Sequence, residues 1–99
     1  MAEIIWTEEA ERWLKNIHDY IAQDNPSAAE KVIAAIYQCT QILLDFPGAG
    51  YRYRSESEGD IRILLYGHYR IAYLIKDNER IEILGVFHGA LNIDQYLIS

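Results

Sequence analysis

Three apolar runs separated by two turn signals constrain this chain more than any other feature. The span from Gly59 to Gly89 reads G-D-I-R-I-L-L-Y-G-H-Y-R-I-A-Y-L-I-K-D-N-E-R-I-E-I-L-G-V-F-H-G. Runs rich in Ile, Tyr, Phe and Val, punctuated by Gly or Asp-Asn, are the pattern of adjacent antiparallel strands. Strands are therefore expected near 61–66, 69–76 and 81–88. Gly67-His68 leaves two residues between Tyr66 and Tyr69, and Gly at the first central position suits a tight type II′ turn. The second turn, Asp77-Asn78-Glu79-Arg80, is longer and polar. Simple alternation gives the sheet one continuously apolar face. It leaves Arg62, Leu64, Tyr66, Arg70, Leu74 and Val86 on the opposite face. A face part apolar and part basic is expected to bind something.

The segments before the sheet read as its cover. Glu3 to Trp6 is a short apolar run, a candidate first strand. Thr7 is placed to cap a helix, and Glu8, Glu9 and Glu11 follow in the first turn, where negative charge suits the helix dipole. Ala10, Trp13, Leu14, Ile17, Tyr20 and Ile21 recur at helical spacing, predicting a helix over 8–23. Asn25 and Pro26 suit the cap and first position of a second helix, whose stripe runs through Ala29, Val32, Ile33, Ile36, Thr40, Leu43 and Leu44. So short a connection makes an antiparallel helical hairpin. Phe46-Pro47-Gly48-Ala49-Gly50 ends it. Residues 51–60, Y-R-Y-R-S-E-S-E-G-D, read as a polar loop. The tail from Asn92 to Ser99 is too short to stand alone and is expected to dock on the body or on a partner. The expected class is α+β, one domain over 1–99: a short first strand, a helical hairpin packed on a twisted antiparallel sheet, and a C-terminal tail.

Composition narrows the function. With 99 residues, half of them hydrophobic, the chain can bury one core. No apolar run approaches the roughly 20 residues of a membrane helix. The first residues show no secretory pattern, and Cys39 is the lone cysteine, so a cytoplasmic protein without internal disulfides is expected. The net charge is −6. Nucleic-acid binders usually carry a basic surface, because neutralising phosphates supplies much of their affinity. The charge is uneven, at −5 over residues 1–47 and −1 over 48–99. Arg52, Arg54, Arg62 and Arg70 crowd into one short span, which leaves room for a local basic face.

No metal or other cofactor is expected, since His18, His68 and His88 fall in three separate elements and Cys39 has no paired ligand at metal spacing. Phosphate-loop and nucleophile-elbow motifs are absent. What remains is a set of Arg, His and Tyr residues on one sheet. Metal-independent RNA cleavage needs a proton acceptor, a cation for the developing charge and a proton donor. Arg62 and Arg70 could supply the cation, and His88 or a tyrosine could move protons. Against this, strand arginines are commonly solvated charges and strand tyrosines packing.

At this point the chain resembles the RelE/ParE superfamily of bacterial toxin–antitoxin toxins, over nearly its whole length. I-I-W-T-E-E-A-E-R-W-L-K-N-I-H-D-Y-I-A resembles the family's first strand and helix. D-N-P-S-A-A-E-K-V-I resembles the junction and second helix, and L-L-D-F-P-G-A-G the end of that helix. I-R-I-L-L-Y-G-H-Y-R-I-A-Y and I-E-I-L-G-V-F-H-G-A-L resemble the sheet. The resemblance implies a toxin of a plasmid- or chromosome-maintenance module, neutralised by a cognate antitoxin in a hetero-oligomer. It implies one of two targets: ParE-like toxins block DNA gyrase, and RelE-like toxins cut mRNA on the translating ribosome. The D-N-P-S-A-A junction is more similar to the ParE branch. Arg62, Arg70 and His88 match family positions and would be catalytic only in the RelE-like case. Many members have arginines where this chain has Gly85, Ala90 and Leu91. That departure favours protein contact over cleavage, or a degenerate toxin kept for antitoxin binding. The expected partner-binding residues are Arg52, Arg54, Leu64, Tyr66, Leu74, Tyr96 and Leu97.

Overall fold

A computed structural model describes residues 3–76, 80–89 and 93–97. Strand β1 (Glu3–Trp6) leads into helix α1 (Glu8–Ala22), and a three-residue connection joins it to helix α2 (Pro26–Thr40). A 3-10 turn (Gln41–Leu44) follows, then β2 (Tyr51–Glu56), β3 (Gly59–Tyr66), β4 (Tyr69–Lys76) and β5 (Arg80–His88). The sheet order is β1-β5-β4-β3-β2. Strands β2 to β5 are antiparallel, and β1 adds parallel to β5. The α+β class read from the sequence is the one found.

Local chemistry fixes the helix starts. The Thr7 side-chain oxygen accepts from the Ala10 amide at 3.1 Å, capping α1, while its hydroxyl donates to the Ile83 carbonyl at 2.7 Å. One side chain thus starts the helix and ties that start to β5. Asn25 caps α2 by accepting from Ala28 N at 3.0 Å, with Pro26 in the first turn.

The sheet carries two apolar clusters, one on each face. The helix-side core holds Leu14, Ile36, Leu64, Ile71, Tyr73 and Val86 among others. The opposite face holds Ile61, Ile63, Leu74, Phe87, Ile93 and Leu97. The tail residues Ile93 and Leu97 bury themselves there, so the tail docks on the body.

Two sequence expectations are corrected. Residues 51–60 are a strand, a turn and the start of the next strand rather than a loop, because Y-R-Y-R pairs with β3 across a bulge near Tyr53. Short polar edge strands carry little apolar signal of their own.

The face assignment is also revised. A two-residue turn sets Tyr66 opposite Tyr69, so Arg62 pairs with Tyr73 and Leu65 with Arg70. Arg62, Leu64 and Tyr66 therefore share the helix side, and Arg70 lies on the other face. A bulge in β5 then breaks its alternation: Ala72 pairs with Gly85 but Tyr73 with Ile83. The extra residue, Leu84, turns Val86 toward the helices and Phe87 away.

Candidate functional site

Arg62 and Tyr73, neighbours across β3 and β4, both reach the turn that follows α2. Arg62 Nε donates to the Gly50 carbonyl at 2.8 Å and its Nη2 to the Gly48 carbonyl at 3.3 Å. The Tyr73 hydroxyl accepts from Gly50 N at 2.9 Å and donates to the Pro47 carbonyl at 2.7 Å. Tyr73 is fully buried. That burial raises its phenol pKa, opposed in part by the Gly50 amide and by Arg62. Together these side chains replace the regular hydrogen bonding that residues 47–50 lack. Tyr73→Phe is expected to cost about 2 kcal/mol, because it strands a buried amide and a carbonyl. Urea unfolding measures it. A double-mutant cycle with Arg62→Ala should show coupling through Gly50, whereas simple additivity would separate the two contacts.

Arg70, on the opposite face, donates from Nη2 to the Gly89 carbonyl at 3.1 Å. His88 is exposed at the end of β5. Its ring lies near the His68 ring, with centroids 6.3 Å apart, and against the Tyr69 ring at 6.0 Å. Arg62 and His88 sit two strands and four residue positions apart. At about 4.8 Å per strand and about 3.3 Å per residue, their backbones are on the order of 16 Å apart. The three candidate catalytic residues are not brought to one point.

The other singled-out residues divide between interior and rim. Leu64 and Leu74 are buried on opposite faces, and Tyr66 is half-buried on the helix side. Arg52 is exposed and pairs with Asp60 at 3.2 Å, which with Ser55 lowers the pKa of that carboxyl. Arg54 pairs with Glu56 at 3.4 Å and donates to the Leu97 carbonyl, and the Tyr53 hydroxyl donates to Asp94. These contacts strap the tail to β2. Arg80, in turn, faces Glu3. The arginines of the sheet are thus engaged within the chain, on carbonyls or carboxylates.

The structure does bring four expected residues together. Arg54, Leu74, Tyr96 and Leu97 line an open groove of about 520 Å³ bounded by the sheet, the tail and the first turns of α1. Sequence reasoning missed Trp13, Leu84 and Phe87, which complete its apolar floor, and the acidic rim of Glu9, Glu56 and Glu58. Phe87 meets Trp13 edge-on at 4.8 Å and stacks on Tyr96 at 5.7 Å. Its ring also lies over Gly85, where an added Cβ would come within 2.5 Å of it. The Phe87 ring therefore occupies the space beside Gly85, where many members of the resembled family carry an arginine. Among the described residues, no group of three or more His, Cys, Asp or Glu could hold a metal ion, and no helix is long and apolar enough to cross a membrane.

Comparison with known proteins gives concordant matches. The family model for the ParE toxin of the type II toxin–antitoxin system parDE matches residues 4–92. A Sinorhizobium fredii protein named as a candidate toxin, Y4kP, is 36% identical over 86 residues, covering 87% of this chain and 86% of its own. A solved chain of the chromosomal ParDE system of P. aeruginosa superposes with a TM-score of 0.72 at 25% identity, over 89% of this chain and 96% of its own. One from the RelBE2 toxin–antitoxin complex of Mycobacterium tuberculosis gives 0.65 at 26% identity, over 88% and 96%.

Proposed function

Since the chain belongs to the ParE toxin family of type II toxin–antitoxin systems, we propose that it acts in the cytoplasm by contact with DNA gyrase and is neutralised by a cognate antitoxin. The observation that carries this reading is the disposition of the strand arginines. Arg62 is turned onto the backbone of residues 48–50, Arg70 lies on the other face, and His88 stands far from Arg62. Catalysis of RNA cleavage needs donors and acceptors converging on one phosphate. Protein contact needs an apolar surface with a polar rim, and the groove between α1, the sheet and the tail is one.

That groove, with Tyr96 on its wall and the ion-paired Glu9, Glu56 and Glu58 around it, suits an amphipathic antitoxin segment that lays an apolar face on its floor. The solved relatives from ParDE and RelBE2 systems support such a partner.

The test is DNA supercoiling by gyrase with the purified, antitoxin-free chain added. Inhibition at stoichiometric amounts is expected, relieved when the antitoxin is supplied. Absence of inhibition, from protein that is folded and arrests growth in cells, would overturn the reading and move the target to mRNA on the ribosome.

A further inference from the structure

His68 and His88 are twenty residues apart in sequence, yet they end up side by side. His68 occupies the tight β3–β4 turn and His88 ends β5. A backbone bond from Gly89 N to the His68 carbonyl, at 2.7 Å, clamps the two segments together. The rings lie nearly parallel, 27° apart, with centroids at 6.3 Å, and both residues are exposed. Tyr69 sets its ring edge-on to His88 at 87°.

We propose that His68 and His88 form a two-histidine chelate for a divalent cation of the zinc–copper class. Imidazole suits these ions, and metal–nitrogen bonds of about 2.0–2.1 Å place two rings on one tetrahedral ion with centres about 5 Å apart. Closing from the observed separation takes roughly 1 Å, within reach of side-chain rotation at two exposed positions. The clamped backbones keep the entropy cost of that adjustment small. Two of the four positions stay open for water or for a ligand from a partner. Arg70 starts from the opposite face of the sheet, but its Nη2 is held at 3.1 Å on the Gly89 carbonyl beside the pair, so its charge weakens the site without supplying a ligand.

Isothermal titration of the tag-free chain with ZnCl2, and separately with CuCl2, tests this. Saturable uptake is expected. His68→Ala and His88→Ala should each weaken it at least about tenfold, since even an outer-shell substitution typically costs 10- to 100-fold. His18→Ala, on α1, should leave it unchanged. Circular dichroism checks that the variants are folded, and His→Gln versions replace any that are not. No uptake by the unsubstituted chain, uptake that survives loss of both histidines, or uptake controlled by one histidine alone would each overturn the proposal. Affinity for one metal but not the other would identify the ion.

Discussion

Gly50→Ala is expected to lower the melting temperature by on the order of 15 °C. The position is not conformationally special; what forbids a side chain is proximity. A Cβ there would come within 2.5 Å of the Ile63 carbonyl oxygen and 2.9 Å of Tyr73 Cε1. The first is backbone inside β3 and the second belongs to a fully buried ring, so neither gives way cheaply. Overpacking of this kind costs about 3 kcal/mol, and each kcal/mol moves the midpoint of a domain this size by roughly 4–8 °C. The turn must also shift away from Tyr73 and Arg62, which both bond Gly50. Gly48→Ala is the internal control, since its Cβ would meet Arg62 Nη2 at an ordinary 3.8 Å. If both alanine variants melt within about 3 °C of the parent chain, the close approach is not what selects glycine at 50.

Phe87→Ala should cost about 3–5 kcal/mol, the usual range for a buried aromatic. The ring is 1% exposed and holds three things at once: Trp13 of α1, Tyr96 of the tail, and the bare backbone of Gly85. Truncation leaves a cavity under the tail and removes the aromatic platform on which Tyr96 rests. The tail strap through Tyr53, Arg54 and Asp94 is polar and only partly buried, and contributes too little to compensate. Faster proteolysis within residues 93–97 and a red-shifted Trp13 emission are therefore expected alongside the lost stability. Leu65→Ala, with its side chain 59% exposed on the same sheet face, should be close to neutral. A loss under about 1 kcal/mol for Phe87→Ala would show that the tail does not depend on this ring.

The elements themselves were largely legible in the sequence. The Thr7 and Asn25 caps, the apolar stripes of both helices, the Phe46–Gly50 stop and the three central strands are written in residues that act over a few positions. Strand β2 was not, because its partner across the sheet decides its conformation. The facing of the sheet was partly legible. A two-residue turn at Gly67-His68 already implies that Tyr66 and Tyr69 share a face, and so that Arg62 and Arg70 do not. Gly67 takes a φ of 57°, the positive value such a turn asks for. The Leu84 bulge had no comparable signal.

The candidate site divides in the same way. Family, fold class and the residues worth watching follow from local pattern and resemblance, since capping, periodicity and turn chemistry need only near neighbours. What each residue does depends on which distant atoms it meets. Arg62 reads as a candidate catalytic cation until the fold lays it against Gly48 and Gly50. Leu64 reads as a contact residue until the helices cover it. His68 and His88 read as unrelated until two hairpin ends meet. Strand register shifted by one position exchanges the two faces of a strand, and one bulge does the same partway along it. Tertiary pairing sets both, and with them which side chains converge on a partner.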